Sequence, residues 1–509
     1  MTREPVLMGI DIGTSASRGI LATLEGEVIA EHTTPHGFDI PHPGWAEHDA
    51  DEVWWHDFCL ISRALLQQSG LRPEQIAGVG CSAIAPTMLP LDKKGQPLRP
   101  SILYGIDTRA SAEIEELSRA IGDEHIYERC GQFLSSQSVG PKVLWFKRNQ
   151  PELYRRTHKV VTACTYLVYR LTGQFVLDNY VAPYFAPFFD VNKLSWDQEL
   201  VEPICPLEWL PTTQWATEVA GVVTPQASQE TGLAVGTPVA TGTADAAAEA
   251  ISAGATQPGD LMVMYGTTMF LIQALDRFKQ HPKLWASVYC IPGQSALAAG
   301  MSTSGALLRW FKDELGQTAQ ALDTSTFEML AQEAACVPSG SEGLITLPYF
   351  SGERTPINDP HARGLFFGLT LKHTRAHLYR SCMEGIAYGL RQNLEAMASI
   401  GASPRRVVAV GGGTKDPLWL QICSDVTGMP QEVPEQTLGA AYGDAYLAGC
   451  AAGLFKDSTP LRKWVKISRT VKPDPAKKPL YDQLYGLYCE LYANTRELMH
   501  RVARLGVDG

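Results

Sequence analysis

Residues 9–24 read Gly-Ile-Asp-Ile-Gly-Thr-Ser-Ala-Ser-Arg-Gly-Ile-Leu-Ala-Thr-Leu. Two apolar runs flank a turn of glycine and small hydroxyl residues, which predicts a β-hairpin. Gly13 allows a tight turn, and the amides and hydroxyls of Thr14, Ser15 and Ser17 can donate to phosphate oxygens. Arg18 adds a fixed positive charge. The segment therefore predicts a phosphate-binding hairpin, although an ordinary hairpin with a polar tip has the same pattern.

Two aspartates follow predicted strands. Asp11 ends the first strand beside the turn, where a carboxylate is well placed to hold a magnesium ion through water. Asp245 ends the apolar run that starts at Pro238 and precedes an alanine-rich helix. A helix N-terminus favours the ionised form of a carboxylate. Asp245 is therefore a candidate functional group, and capping of its own helix is the alternative.

The composition limits the class of protein. The chain has 509 residues, which suggests two domains or three. Its net charge of −11 argues against nucleic acid or an anionic membrane surface as the main partner. Its 11 cysteines are scattered singly, which fits a reducing cytoplasm rather than a disulfide framework. No secretory segment or long apolar run is present, so we expect neither secretion nor membrane spanning.

A second hairpin repeats the design of the first about 250 residues later. Residues 261–273 read Leu-Met-Val-Met-Tyr-Gly-Thr-Thr-Met-Phe-Leu-Ile-Gln, with Gly266, Thr267 and Thr268 at the turn. The chain is therefore interpreted as two copies of one unit, each beginning with a hairpin that can hold phosphate.

Further candidates lie where other strands end. The apolar strand 76–82 runs into Ala85 and Pro86, and a segment with Tyr104 and Asp107 follows. Ligands collect at such strand ends in open α/β sheets. Residues 411–413 are consecutive glycines between a strand and a helix. A nucleotide could approach the backbone closely there, or the glycines could mark only a tight turn.

One helix and one aromatic residue complete the local predictions. Apolar residues recur three and four apart, with Asp51 as the expected cap, at Trp54, Phe58, Ile61 and Leu65. Trp45 could stack on a sugar, but anchoring of its own loop is the favoured interpretation. The sequence has no Gly-Lys pair and no Gly-x-Gly-x-x-Gly, so P-loop and dinucleotide-binding classes are excluded.

Together these motifs resemble the FGGY family of carbohydrate kinases in the actin-like ATPase superfamily, and most closely its xylulokinase group. The matching segments are Pro43-Gly-Trp-Ala-Glu47, Pro141-Lys-Val-Leu-Trp145, Thr243-Ala-Asp245, Gly266-Thr-Thr268, Leu347-Pro-Tyr-Phe-Ser-Gly-Glu-Arg-Thr-Pro356, Gly364-Leu-Phe-Phe-Gly368, Val410-Gly-Gly-Gly413 and Leu438-Gly-Ala-Ala-Tyr-Gly-Asp-Ala-Tyr-Leu447. The resemblance implies an α/β fold of two ribonuclease-H-like domains with ATP and sugar in the cleft between them. Residues 1–247 would carry the sugar site and the base, and residues 248–509 the adenosine site.

The resemblance also implies roles for individual residues. Asp245 would be the catalytic base and Asp11 would serve Mg²⁺. The nucleotide would be bound by Thr14, Ser15, Arg18, Gly266, Thr267, Thr268, Gly305, Arg309, Gly411, Gly412 and Asp416, the last where relatives commonly have Asn or Ser. The sugar would meet Ala85, Pro86, Tyr104, Asp107, Asp245 and Phe270.

The expected substrate is a ketopentose such as xylulose. The sugar-facing positions depart from the xylulokinase pattern: Ala85-Pro86 replaces Met-His, Tyr104-Gly-Ile-Asp107 replaces Trp-Asn-Asp, and Ala246 replaces an amide. Another ketose or polyol of the ribulose, glycerol or erythritol type is therefore the alternative, because sites built on hydroxyl partners discriminate through them. A regulatory actin-like ATPase is a further alternative. A cytoplasmic protein, which could form a homodimer, is expected.

Overall fold

The computed structural model describes residues 4–316, 326–436 and 438–505. The first half of the chain contains the strands β1 (Val6–Ile12), β2 (Ala16–Thr23), β3 (Val28–Pro35), β4 (Glu47–His48), β5 (Ile76–Ala83), β6 (Leu89–Leu91), β7 (Ser101–Ile102), β8 (Lys159–Val161), β9 (Val176–Asp178), β10 (Phe189–Asp190), β11 (Ser195–Trp196), β12 (Thr212–Gln214), β13 (Val219–Val222), β14 (Pro238–Ala240) and β15 (Thr243–Ala244). Its helices are α1 (His56–Ser69), α2 (Ser111–Ile121), α3 (Asp123–Cys130), α4 (Val139–Asn149), α5 (Pro151–Arg156), α6 (Ala163–Thr172), α7 (Gln198–Val201), α8 (Pro225–Thr231) and α9 (Asp245–Ser252).

The second half contains the strands β16 (Asp260–Tyr265), β17 (Met269–Leu275), β18 (Trp285–Val288), β19 (Ser295–Met301), β20 (Ile345–Leu347), β21 (Leu365–Phe367), β22 (Arg406–Val410), β23 (Gln431–Pro434) and β24 (Ile467–Val471). Its helices are α10 (Gly305–Leu315), α11 (Thr326–Ala335), α12 (Arg375–Ser399), α13 (Pro417–Thr427), α14 (Ala440–Ala451), α15 (Thr459–Trp464) and α16 (Lys478–Leu505).

Each half is built around one mixed sheet. The first sheet has the order β13-β14-β5-β1-β2-β3, with β15 also paired to β5, and the second has the order β18-β19-β17-β16-β22-β23-β24. In both sheets the first strand of the hairpin pairs in parallel with a later strand: β1 pairs with β5, and β16 pairs with β22. The shared order of antiparallel and parallel strands confirms the predicted duplication.

Both predicted hairpins form. β1 pairs with β2 from Val6↔Thr23 to Ile12↔Ser17, and β16 pairs with β17 from Leu261↔Gln273 to Tyr265↔Met269. The first strand of each hairpin is an almost continuous apolar run, because both faces of β1 and of β16 are buried. The two phosphate-loop candidates therefore lie at equivalent ends of equivalent sheets.

Helix α14 of the second half packs against the first sheet. Gly80 of β5 faces the Asp444 carbonyl oxygen so closely that a Cβ would collide with it. Gly9 of β1 stands in the same relation to Ala441. Glycine is needed at both positions because only a backbone without a side chain allows a helix to approach a sheet this closely. The division of domains at residues 247 and 248 stays a prediction.

The helix predicted around Trp54 is present, but its cap was predicted wrongly. Asp49, not Asp51, accepts hydrogen bonds from the amides of Asp51 and Glu52, because a π-helical turn, Ala50–Trp55, precedes α1. The four predicted apolar residues, Trp54, Phe58, Ile61 and Leu65, are buried as expected.

Candidate active site

The tip of the first hairpin is a short turn closed by a hydrogen bond from the Gly13 amide to the Ala16 carbonyl, 3.1 Å. Ser15 is exposed at this tip. The Thr14 hydroxyl lies 3.0 Å from the hydroxyl of Tyr104, which belongs to the loop after β7. The turn thus presents small polar groups to solvent, as a phosphate-binding loop requires, and contacts a predicted sugar-facing residue.

Asp11 ends β1 and is tied to α14 through a serine. Ser82 Oγ lies 3.0 Å from Asp11 Oδ1 and 2.7 Å from Asp444 Oδ2. A hydroxyl has one proton, so it can donate to only one of these carboxylates. Burial raises the pKa of Asp11 and of Asp444 well above the ordinary value, which favours a proton on one of the two carboxylates that is donated to Ser82 Oγ. Sequence reasoning missed Asp444, a single acidic residue in an otherwise small and apolar helix.

Asp245 is the first residue of α9, as predicted. Its Oδ1 accepts a 2.7 Å hydrogen bond from the Ala246 amide, while Ala244 occupies the N-cap position. Asp245 therefore contacts the first turn without being its cap residue. Burial raises the pKa of Asp245 to about 6, and the Ala246 amide opposes this shift. A carboxylate with that pKa is ionised at neutral pH and can still take up a proton.

Glu249 lies one helical turn after Asp245 and was missed from the sequence, where only its spacing of four residues could have indicated it. Burial and the charge of Asp245 raise its pKa to about 7, and Arg18 opposes this shift. Burial, Asp245 and Glu249 also raise the pKa of Asp11. Three carboxylates from two elements thus share one poorly solvated region.

This region fits a magnesium ion. Among the described residues no group of three or more acidic, histidine or cysteine side chains is arranged to enclose a metal. Mg²⁺ commonly keeps several waters and uses one or two carboxylates together with substrate phosphates. Burial first, and then the charges of Asp245 and Glu249, raise the pKa of Asp11, and a divalent cation would offset both effects by favouring the ionised carboxylate. Asp11, beside the phosphate hairpin, is the residue best placed to serve such an ion.

The second hairpin turn is joined to the start of α10. The carbonyl of Gly266 accepts from the Gly305 amide at 3.0 Å, and that of Thr267 accepts from the Ala306 amide at 2.9 Å. A Cβ on Gly305 would lie 2.6 Å from the Gly266 carbonyl oxygen, so glycine is required there. Thr267 is exposed and Thr268 half-buried at this turn. The structure therefore brings Gly305 to the second phosphate loop.

The predicted adenosine-side residues follow β22. Gly411 has φ +90°, a conformation that favours glycine, and a Cβ on Gly412 would meet nothing within 4 Å. Open space therefore faces the backbone at Gly412. Asp416 instead accepts hydrogen bonds from the Leu418 and Trp419 amides and caps α13. Arg309 is exposed on α10.

Asp107 does not present a free carboxylate. It is fully buried, accepts a 2.7 Å hydrogen bond from the Ala46 amide and forms a 2.6 Å ion pair with Arg109. Arg109 also lies 3.9 Å from the ring centroid of Trp45, which packs edge-on against Trp145. Trp45 therefore anchors its own loop, as favoured above, and Asp107 holds the base of the loop that carries Tyr104.

The remaining sugar-side residues come from both halves. Ala85 is half-buried and Pro86 buried after β5. Phe270, on β17, stacks with Trp285 at 6.1 Å between ring centroids. Arg354 lies 5.8 Å from the ring centroid of Trp285. Arg354 lies in residues 347–356, one of the segments that match the family, but the sequence indicated no role for it.

Comparison with known proteins decides the family. The model of the N-terminal domain of the FGGY family of carbohydrate kinases matches residues 6–252, and that of the C-terminal domain matches residues 261–452. The chain belongs to the FGGY family of carbohydrate kinases. This FGGY kinase is therefore a sugar phosphotransferase, and its two α/β domains have the actin-like ATPase fold of the family.

Individual relatives cover the whole FGGY kinase. The chain is 30% identical to xylulose kinase of Escherichia coli K12 over 97% of its own length and 99% of the relative's. The crystal structure of xylulose kinase from Rhodospirillum rubrum superposes with a TM-score of 0.91 at 32% identity, over 97% of this chain and 100% of that one. Plasmodium falciparum glycerol kinase with ADP shares the fold, with a TM-score of 0.85 at 21% identity over 96% and 98%. In the described ranges, the FGGY kinase has no helix long and apolar enough to cross a membrane.

Proposed function

We propose that this kinase transfers the γ-phosphate of ATP to a hydroxyl of a ketopentose such as xylulose. The observation that carries the proposal is the position of Asp245 at the start of α9, in the carboxylate region with Asp11. The Tyr104 hydroxyl contacts the first hairpin, and the charge of Asp245 adds to the effect of burial in raising the pKa of Tyr104. The identity to xylulose kinases over nearly the full length supports the choice of sugar.

Each half would contribute one set of groups. Asp245 would accept the proton of the attacking hydroxyl, because phosphoryl transfer needs a base beside the acceptor. Phosphate oxygens would be bound from the first half by Thr14, Ser15 and Arg18, and from the second half by the turn at residues 266–268. Mg²⁺, when held through Asp11, would neutralise charge on the phosphates. The open backbone at Gly412 would receive the adenosine.

The cysteines are consistent with a location in the cytoplasm. All 11 cysteines, each a described residue, are free thiols, in keeping with a reducing cytoplasm. The sugar is the expected partner, while a homodimer stays a prediction.

The test is ATP-dependent phosphorylation of D-xylulose, D-ribulose, glycerol and erythritol, measured as ADP release with Mg²⁺ present. We expect ADP release near background until a sugar is added, and the highest kcat/KM with D-xylulose. A preference for another ketose or polyol would support the kinase activity but identify a different substrate. ADP release that is independent of every sugar would instead favour a regulatory actin-like ATPase.

A further inference from the structure

Arg354 lies in the loop after β20 and has no role in the chemistry described above. One guanidinium nitrogen, Nη2, donates a 2.9 Å hydrogen bond to the Met301 carbonyl at the end of β19. Gly300 makes room for the side chain, since a Cβ there would lie 3.2 Å from Arg354 Cζ. The guanidinium is thus held at a fixed place on the second sheet.

A second donor of this guanidinium is unused. Within the described part of the chain, the buried Arg354 Nε has no hydrogen-bond partner. The neighbouring Glu353 does not supply one: its Oε1 accepts from the amides of Ser302 and Arg354 at 2.7 and 2.8 Å, and among the described residues its buried Oε2 has no hydrogen-bond partner either. A buried charged donor without a partner is costly in the absence of a ligand. The unpaired Nε therefore indicates a position for an acceptor atom from outside the chain.

Arg354 interacts electrostatically with Tyr104, a residue of the first half that is proposed to meet the sugar. Burial raises the pKa of Tyr104, Asp245 raises it further, and the Thr14 hydroxyl and the charge of Arg354 oppose the shift. The Tyr104 phenol therefore lies within electrostatic reach of both Asp245 and Arg354. A molecule bound beside Tyr104 would therefore lie within electrostatic reach of both the proposed base and the guanidinium.

Aromatic rings adjoin the guanidinium. Phe270 pairs with Gly300 in the register of β17 and β19, so its side chain lies on the face where Arg354 packs. Phe270 stacks with Trp285, and Trp285 lies beneath Arg354. A sugar has apolar C–H faces that pack on aromatic rings and oxygens that accept hydrogen bonds. This combination of rings and an unpaired donor suits such a ligand.

We propose that Arg354 binds the acceptor sugar from the second half of the chain, with Nε donating to a sugar oxygen. This inference rests on the proposed function and adds a specificity-determining residue to it. Tyr104 and Arg354 then contact one substrate from opposite sides, so the sugar joins the two halves. Contact of Arg354 with the γ-phosphate of ATP is the competing assignment, which the experiment below distinguishes.

The test compares Arg354→Met, Arg354→Lys and the control Arg363→Met. Arg363 belongs to the segment between β20 and β21 that also carries Arg354, but it donates to the carbonyls of Pro360 and Ala362. We measure kcat and the KM for D-xylulose and for ATP, together with D-xylulose binding by calorimetry without nucleotide. Loss of a charged donor should raise the KM for D-xylulose about 10- to 100-fold in Arg354→Met and weaken calorimetric binding equally. The KM for ATP should stay within about twofold, and the control should match the wild type.

Four results would overturn the inference. An increase in the KM for ATP as large as that for the sugar would assign Arg354 to phosphate, and unchanged constants for both would leave it a structural residue. If Arg354→Met does not fold, Arg354→Lys is the deciding variant, because lysine keeps the charge but lacks Nε. An unchanged KM for D-xylulose in Arg354→Lys would then exclude the contact between Nε and the sugar. A wild type that phosphorylates no ketose or polyol would instead overturn the proposed function, and this inference with it.

Discussion

The side-chain hydroxyls of Thr14 and Tyr104 are hydrogen-bonded, with 3.0 Å between their oxygens, although 90 residues separate them in the chain. Thr14 lies at the tip of the first phosphate hairpin, and Tyr104 lies in the loop assigned to the sugar. The hydrogen bond therefore joins these two segments directly. The contact links the proposed nucleotide and sugar sites before any ligand binds.

Replacement of Asp245 by Asn separates catalysis from helix stability. Loss of a general base should lower kcat about 10²–10⁴-fold. The folded-state pKa of about 6 exceeds the ordinary value of 3.8, so the ionised carboxylate costs stability at neutral pH. We therefore expect the Asp245→Asn melting temperature to equal or exceed that of the wild type. The matched control is Asp49→Asn, which should retain both kcat and stability because Asn and Asp cap almost equally. A folded Asp245→Asn enzyme with normal kcat would exclude the role as base.

The pH dependence of kcat/KM should follow the ionisation of Asp245. A base must be deprotonated, so activity should fall as the pH decreases through about 6, the raised pKa of this carboxyl. The measurement is kcat/KM for D-xylulose from pH 5 to 8 at saturating Mg²⁺. A profile that is flat from about pH 8 down to about pH 5 would contradict the assignment.

Replacement of Ala85-Pro86 by Met-His should change the choice of sugar. The two residues follow β5 at the strand end near the active site, and neither offers a side-chain hydrogen bond. New side-chain partners should alter the relative kcat/KM among ketoses and polyols by about 10-fold or more, with the KM for ATP nearly unchanged. The substrate panel used for the proposed function measures this effect. Equal losses for every sugar, accompanied by a lower melting temperature, would indicate damaged folding instead.

Lys142 should give the protein a distinctive dependence of stability on pH. This buried lysine of α4 donates to the Leu103 carbonyl at 2.6 Å, beside Tyr104, and burial lowers its pKa from 10.5 to about 7. Between pH 7 and pH 10.5, Lys142 is protonated in the unfolded chain and neutral in the folded chain. The contribution of Lys142 to the free energy of unfolding therefore rises with pH. Lys142→Met removes that contribution.

Denaturant unfolding at pH 6.5 and pH 9 tests this expectation. The stability of Lys142→Met relative to the wild type should be higher at pH 6.5 than at pH 9. Lys147→Met is the control, because Lys147 lies half-buried on the same helix and donates to the Pro203 carbonyl. A stability difference between Lys142→Met and the wild type that stays constant with pH would show that Lys142 titrates normally.

Ligands should bring the two halves of the chain closer together. The two phosphate hairpins belong to different sheets and must converge on one nucleotide, and phosphoryl transfer requires exclusion of water. Small-angle scattering should show a smaller radius of gyration with a non-hydrolysable ATP analogue and D-xylulose together than with neither. An unchanged radius at saturating ligand would count against closure.

The sequence by itself determined the hairpins, the duplication and the position of Asp245. Each depends on neighbours in the chain: a run of apolar residues specifies a strand, glycine and threonine specify a turn, and a strand followed by alanines specifies the junction at Asp245. These interactions are local, so the pattern of side chains is enough to predict them.

Only the tertiary structure decided which polar groups meet and which are already occupied. It joined Asp11 to Asp444 through Ser82, brought Arg354 towards Tyr104, and engaged Asp107 with the Ala46 amide. No spacing in the sequence encodes these contacts, because packing between elements far apart in the chain creates them. Burial then sets the pKa values, since the loss of water around each charge depends on the whole fold.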